Sequence, residues 1–145
     1  RVLMLYFDTS FIAPLYIPEP NSDEVRQLTY ALSRQYIAIS EWTCVEFSSM
    51  VARRVRMQQL GENAAQNLLT AFERISHTQY GILIPSSADY RLADRFLRNF
   101  STGLRAGDAL HLAIAKNNGA SHIYSLDQGL IKAAAMLDLP AGSGF

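Results

Sequence analysis

The sequence predicts an α/β fold, a three-layer sandwich in which helices cover both faces of a central parallel sheet of four to five strands. Short apolar runs alternate with amphipathic segments along the whole chain, which is the pattern of strand–helix–strand units. The first run, Val2–Phe7, is almost continuously apolar, as expected of a strand that is buried on both faces. Strands that are joined through helices run parallel, and the helices then lie against the faces of the sheet.

The predicted strands are short, apolar and evenly distributed along the chain. Four are expected with a clear apolar pattern and one with a weak pattern. In chain order they are Val2–Phe7, Tyr36–Ile39, Gly81–Pro85, Ser121–Ser125 and the weak fifth strand, Leu137–Pro140.

Most of the predicted helices begin at a residue type that caps helices. Asp8, Thr9 and Ser10 precede the first helix, and Ser40 precedes the third. Two further starts, Asn21-x-x-Glu24 and Ser86-x-x-Asp89, resemble capping boxes. After the first short helix, the expected helices cover about residues 21–35, 40–60, 62–76, 86–97, 109–117 and 128–136.

The length of 145 residues predicts one domain, at residues 1–140, followed by a flexible tail at 141–145. The chain begins with Arg1 rather than Met, and its first residues predict a core strand rather than a signal peptide. No apolar run reaches the roughly 18 residues that span a membrane. The single cysteine, Cys44, cannot form an internal disulfide, which is typical of a reducing cytoplasm.

The charge balance argues against broad, non-specific binding to a polyanion. Lys and Arg number 13, as do Asp and Glu, so the net charge is about zero. A local basic strip beside an acidic pocket remains compatible with this balance.

Four acids stand at positions where an α/β sheet brings side chains together. Asp8 and Asp127 follow predicted strands, Asp108 opens an apolar helix, and Glu46 lies in the second turn of another helix. Sites in such folds lie beyond the carboxyl ends of the strands. A cluster of carboxylates is a site for a hard divalent cation. Two such ions about 3.5–4 Å apart can bind the attacking water and the leaving oxygen of a phosphodiester.

Each acid also has an ordinary structural explanation. Asp8 and Asp127 are suitable N-caps, although Thr9 and Ser10 offer alternatives to Asp8. Glu46 has no cation three or four residues away, so a solvated helix surface is its alternative. Asp108 has Arg105 three residues before it, which allows a local ion pair. The metal site is therefore predicted from the joint placement of the four acids.

Other chemistries find less support in the sequence. The three histidines show no zinc-type spacing with Cys44, and His111 is expected to be a polar group of the core or helix surface. Ser10 lacks a Gly-x-Ser-x-Gly setting, and no glycine-rich phosphate loop is present. Asp8 also lacks the second aspartate of a haloacid dehalogenase-type phosphohydrolase.

Four segments of the chain resemble the signature blocks of PIN-domain nucleases, and most of all those of the toxins of VapBC toxin–antitoxin modules. The resemblance covers essentially the whole chain and preserves the order of the blocks. The first and third blocks are specific, the second is looser and the fourth is short. The segments are Tyr6–Ser10, Ser40–Glu46, Leu104–Ala113 and Ser125–Asp127.

The resemblance implies a PIN-like fold and an endoribonuclease that depends on Mg²⁺ or Mn²⁺. It carries the family's acids onto Asp8, Glu46, Asp108 and Asp127. Asp8 and Asp108 are then the expected direct metal ligands, while Glu46 and Asp127 bind through water or activate the nucleophile.

Supporting roles also follow from the resemblance. It places the family's small hydroxyl positions at Ser10 and Ser125, where Ser125 is a mild departure from the more common threonine. Arg105 is expected to contact an RNA phosphate. The resemblance further implies a homodimer and a cognate VapB-type antitoxin whose C-terminal segment blocks the site. The alternative is a PIN-like module that binds RNA or protein without cleaving.

Overall fold

The structure, a computed structural model, describes residues 1–145 and contains five strands and seven α-helices. The strands are β1 (Met4–Phe7), β2 (Tyr36–Ser40), β3 (Gly81–Leu83), β4 (His122–Tyr124) and β5 (Ala141–Gly142). The helices are α1 (Thr9–Ile12), α2 (Ser22–Ala31), α3 (Glu41–Arg56), α4 (Glu62–Gln79), α5 (Ser87–Arg98), α6 (Ala106–Asn117) and α7 (Gln128–Met136). Short 3₁₀ turns follow α1 and α5.

The sheet is entirely parallel, in the order β3-β2-β1-β4-β5. Strand β1 is central: Leu5 is in register with Ile37 on one side and with His122 on the other. The predicted α/β sandwich with a parallel sheet is therefore confirmed. The carboxyl ends of β1, β2 and β4 meet at one edge, which positions the site described below.

Successive residues of β1 supply the cores on the two faces of the sheet, because strand side chains alternate between faces. Tyr6 belongs to a core with α5, α6 and α7. Phe7 belongs to a core with α1 to α4. Helix α6 is buried at every position from Ala109 to Ala115, as its apolar sequence predicted.

Four helix starts show the predicted capping chemistry, since Asp8, Ser40, Ser86 and Asp127 each accept from a backbone amide of the helix that follows. Ser40 and Ser86 both form capping boxes. Asn21 makes no capping bond, because its backbone (φ −95°, ψ 9°) is not in the extended conformation of an N-cap. The predicted capping box at Asn21 is therefore wrong.

The fifth strand lies later than predicted, at Ala141–Gly142 rather than Leu137–Pro140. Leu137 and Leu139 instead donate their amides to the last turn of α7, and Asp138 adopts a left-handed conformation (φ 58°). The ladder with β4 begins only where Pro140 O accepts from Ile123 N. The first two residues of the predicted flexible tail thus belong to the sheet.

None of the seven helices combines the length and apolar character that crossing a lipid bilayer requires.

Candidate functional site

The four acids predicted from the sequence lie together at the carboxyl edge of the sheet. Asp8 directly follows β1, and Asp127 caps α7 just beyond β4. Glu46 lies in the second turn of α3, and Asp108 lies in the first turn of α6. The other three carboxylates are near enough to raise the pKa of Asp108.

Asp8 is almost completely buried, with 2% of its surface exposed. Its Oδ1 accepts from Ser10 Oγ at 2.7 Å and, as the N-cap of α1, from Phe11 N at 3.0 Å. Its Oδ2 accepts from Ser125 Oγ at 2.6 Å. Burial raises the pKa of Asp8, although His111 and these hydrogen bonds act against the increase. Asp8 therefore caps α1 itself, and the alternative caps are used elsewhere.

Ser10 and Ser125 both donate hydrogen bonds to Asp8. Ser10 lies just after β1, and Ser125 lies just after β4. Ser125 Oγ also accepts from Asp127 N at 3.0 Å, and Ser10 Oγ accepts from Leu126 N at 2.9 Å. The two hydroxyl oxygens are 3.2 Å apart. Each serine thus joins the central acid to the turn that carries Asp127.

Glu46 is not the solvated helix residue that its local sequence allows. Its Oε1 accepts from Thr9 Oγ1 at 2.6 Å and lies 2.5 Å from His111 Nε2. Burial alone would raise the pKa of Glu46, but the hydrogen bond and charge of His111, with the bond from Thr9, lower it. Glu46 is therefore ionised at neutral pH.

The other oxygen of Glu46 faces the first turn of α6. A Cβ added at Gly107 would lie 3.0 Å from Glu46 Oε2 and 3.3 Å from Trp42 Cζ2. Trp42 Nε1 also donates to Gly107 O at 3.2 Å. The absence of a side chain at position 107 therefore lets α3 approach α6 next to Asp108.

His111 is a site residue whose position the sequence did not reveal. Its side chain is buried between Glu46 and Tyr6, whose hydroxyl lies 2.7 Å from His111 Nδ1. Both partners are distant in sequence, at separations of 65 and 105 residues. The one sequence feature that could have indicated a role for His111 is its position, one turn after Asp108 in an otherwise apolar helix.

Asp108 is half-buried and takes part in none of the four ion pairs of the chain. The local pair with Arg105 that its spacing allowed is not formed, and Arg105 is exposed at the N-cap of α6. Burial and the neighbouring Asp127, with smaller effects of Asp8 and Glu46, raise the pKa of Asp108 to about 6 against the opposing effect of His111. Asp108 thus carries an uncompensated negative charge at neutral pH.

These oxygens fit a hard divalent cation by their chemistry. Mg²⁺ and Mn²⁺ prefer carboxylate oxygens, and a cation would offset the repulsion that raises the pKa of Asp108. Asp108 is unpaired, and the hydrogen bonds of Glu46 and Asp127 engage one oxygen of each carboxylate. No three acid, histidine or cysteine side chains are close enough to form a ready ligand set. Binding of a cation would therefore require these side chains to move closer to one another.

Solved structures share this fold at low sequence identity. The toxin VapC20 of Mycobacterium tuberculosis, described as cleaving the sarcin–ricin loop, aligns with a TM-score of 0.71 and 21% identity over 89% of this chain and 94% of its own. FitAcB from Neisseria gonorrhoeae aligns with a TM-score of 0.77 and 20% identity over 97% and 98%. VapBC2 from Rickettsia felis, solved with a promoter DNA fragment, aligns with a TM-score of 0.71 and 16% identity over 97% and 98%.

No curated protein sequence matches the chain significantly. The family model of the PIN domain, in contrast, matches residues 5–136. This match includes all of β1 but its first residue, all four acids and the helices α1 to α7. The chain therefore belongs to the PIN domain family.

Proposed function

We propose that this protein is a metal-dependent endoribonuclease that cleaves RNA phosphodiester bonds by water attack and acts as the toxin of a toxin–antitoxin pair. Membership of the PIN domain family supports this function. So does the shared fold with VapC20, which is described as a toxin that cleaves the sarcin–ricin loop.

The state of Asp108 carries the proposal. Its carboxylate stands half-buried beside three other acids, without an ion pair, and its pKa is raised to about 6. A carboxylate that only stabilised the fold would be expected to have a partner for its charge. A bound cation supplies that partner.

Asp8 and Asp108 would hold the ion, which we propose to be Mg²⁺ or Mn²⁺. When bound, the ion would lower the pKa of a water and stabilise charge on the phosphodiester. Ser10 Oγ and Phe11 N occupy Oδ1 of Asp8, and Ser125 Oγ holds Oδ2, whose remaining lone pair would bind the ion.

Glu46 and Asp127 would bind the ion through water or orient the attacking water. Glu46 stays ionised, and its Oε2 has no hydrogen-bond donor from the protein. One oxygen of Asp127 accepts from Leu130 N at 3.1 Å, which leaves the other for a water. The exposed guanidinium of Arg105, at the start of α6, is free to contact a phosphate.

The proposed partners follow from the family resemblance and from the relatives. The VapBC2 relative was solved with promoter DNA, and the resemblance of the signature blocks implies a VapB-type antitoxin and a homodimer. We propose both for this chain, together with a cytoplasmic location.

RNA cleavage by the purified protein with Mg²⁺, with Mn²⁺ and with excess chelator tests the proposed function. We expect activity with either ion, none with the chelator, and a loss at acid pH as the carboxylates become protonated. Asp8→Asn and Asp108→Asn should abolish cleavage, while Asp23→Asn, on an exposed part of α2, should not. Cleavage by either site variant at the wild-type rate would refute the assignment.

A PIN-like module that binds RNA without cleaving it is the second candidate. The observation in its favour is the absence of a ready ligand set in the structure. Calorimetric titration with Mn²⁺ separates the two candidates, because the binding module has no need of the ion. Saturable Mn²⁺ binding that Asp108→Asn weakens would favour the enzyme.

A further inference from the structure

We propose that His111 is a positioning residue that fixes Glu46, with Tyr6 as the anchor of its imidazole ring. This inference rests on the proposed function, since it concerns how one acid of the metal site is held. The hydrogen bonds from Tyr6 to His111 and from His111 to Glu46 connect β1, α6 and α3.

The contact between His111 and Glu46 defines which atoms donate. The ionised Glu46 carboxylate has no proton, so His111 Nε2 must carry the hydrogen in the 2.5 Å contact. Thr9 Oγ1 donates to the same oxygen, Oε1, at 2.6 Å. The two donors therefore hold one oxygen of Glu46 and leave Oε2 for a water or an ion.

Tyr6 fixes the ring from the opposite side. Its hydroxyl lies 2.7 Å from His111 Nδ1 and 2.9 Å from Ser40 Oγ. Tyr6 and His111 are 0% and 1% exposed, so neither ring can turn toward water without losing these bonds. Every polar atom in this buried series thus has a partner, which fixes one arrangement of the side chains.

His111 donates from Nε2 to the charged Glu46 carboxylate, which gives it more than a packing role. A histidine that only filled the core would not need a charged partner in the site. Groups that hold a metal-site carboxylate in this way change metal affinity by about 10–100-fold when they are removed. The geometry thus predicts an effect on metal binding that depends on one nitrogen atom.

Two substitutions separate the roles of the ring nitrogens. The side-chain nitrogen of His111→Gln reaches the position of Nε2 and can still donate to Glu46. The shorter His111→Asn side chain ends near the position of Nδ1, where its amide oxygen can still accept from Tyr6, and it places no donor near Glu46. We expect Mn²⁺ affinity, measured by calorimetry, to fall by about tenfold or more in His111→Asn and to be largely restored in His111→Gln.

Controls distinguish this effect from a loss of folding. His77→Asn, on the exposed end of α4, should keep wild-type affinity. Circular dichroism and thermal unfolding establish that each variant is folded under the conditions of the titration. Tyr6→Phe, which keeps the ring and removes the hydroxyl, provides a milder variant and should weaken Mn²⁺ binding less than His111→Asn does.

A spectroscopic measurement tests the contact without any metal. The chain has three histidines, so long-range ¹⁵N–¹H spectra of the imidazoles are readily assigned with His111→Asn and His77→Asn. His111 Nε2 should show the signal of a protonated nitrogen, and Glu46→Gln should shift it without changing the other two histidines. An unprotonated Nε2 would overturn the inference.

The outcomes separate the inference from the function on which it rests. Absence of Mn²⁺ binding by the wild type would overturn the proposed function. Wild-type binding together with an unchanged Kd in His111→Asn, or with equal losses in His111→Asn and His111→Gln, would overturn the inference alone.

Discussion

Ser125 Oγ donates to Asp8 Oδ2 at 2.6 Å across 117 residues of sequence. Neither side chain is exposed beyond 2%. A buried carboxylate is costly to ionise unless hydrogen bonds replace the lost water. The Ser125 hydroxyl is thus part of what allows an acid at the end of the central strand.

Ser125→Ala should destabilise the protein by about 1–3 kcal/mol at pH 7.5, because it leaves Asp8 Oδ2 without its donor. Urea unfolding measures the change. Ser121→Ala, at an exposed position just before β4, is the matched control and should stay within about 0.5 kcal/mol of the wild type. Equal unfolding midpoints for both variants would contradict the role assigned to Ser125.

The raised pKa of Asp108 predicts a dependence of stability on pH in the metal-free protein. The folded value of about 6 lies above the ordinary 3.8, so the folded state binds the Asp108 proton more tightly. The associated stabilisation is complete below about pH 4 and is lost as the pH rises through 6. Asp108→Asn cannot lose a proton, so it should gain about 1 kcal/mol on the wild type between pH 4 and pH 7, after allowance for solvent screening.

Urea unfolding in chelator at intervals across this range measures that difference. Asp23→Asn serves as the exposed control and should follow the wild type. A constant difference between Asp108→Asn and the wild type at all pH values would show that neither burial nor the surrounding acids raise the pKa of Asp108.

Gly107→Ala should separate activity from stability. Alanine favours a helix over glycine by about 1 kcal/mol, so the fold should not be weakened by the backbone. The new Cβ would nevertheless stand 3.0 Å from Glu46 Oε2 and displace that carboxylate. We expect weaker Mn²⁺ binding and slower RNA cleavage with an unreduced unfolding temperature. Gly61→Ala, where an added Cβ meets nothing within 4 Å, is the control for activity and should leave Mn²⁺ binding and RNA cleavage unchanged.

Phe72→Ala should be among the more destabilising changes outside the site, at about 3–5 kcal/mol. The Phe72 ring stacks on Phe47 with centroids 4.0 Å apart, and Phe72 is buried between α3 and α4. Phe100→Ala, which removes a ring that is 89% exposed, is the control and should change stability little. Thermal and urea unfolding compare the two, and a similar effect of both would contradict this description of the core.

The order of the elements followed from the sequence because apolar runs and caps are local signals. Val2–Phe7 and the apolar helix after Asp108 specified the central strand and the buried helix on their own. Element ends were less well predicted, since Ile84 and Leu137 are apolar residues that extend no strand. Whether such residues join a strand depends on where the neighbouring strands and helices end, and the local sequence does not contain that information.

The acids were found because the carboxyl ends of parallel strands share one edge. Ser10 and Ser125, the hydroxyl partners of Asp8, were also predicted from the resemblance, but the partners of Glu46 were not, because they come from distant elements. Glu46 has no cation within its own helix, and its histidine comes from α6, 65 residues away. Likewise, nothing in the local sequence indicates that Gly107 lies against Glu46.

The central place of β1 has a consequence for protein synthesis. Asp8 is made 117 residues before Ser125, whose hydroxyl it accepts from, and also before β4, which pairs with β1. A growing chain that has not reached β4 therefore holds the first acid of the site without its neighbours. The four carboxylates can meet only after Asp127 has emerged from the ribosome, so the site forms late in the synthesis of this domain.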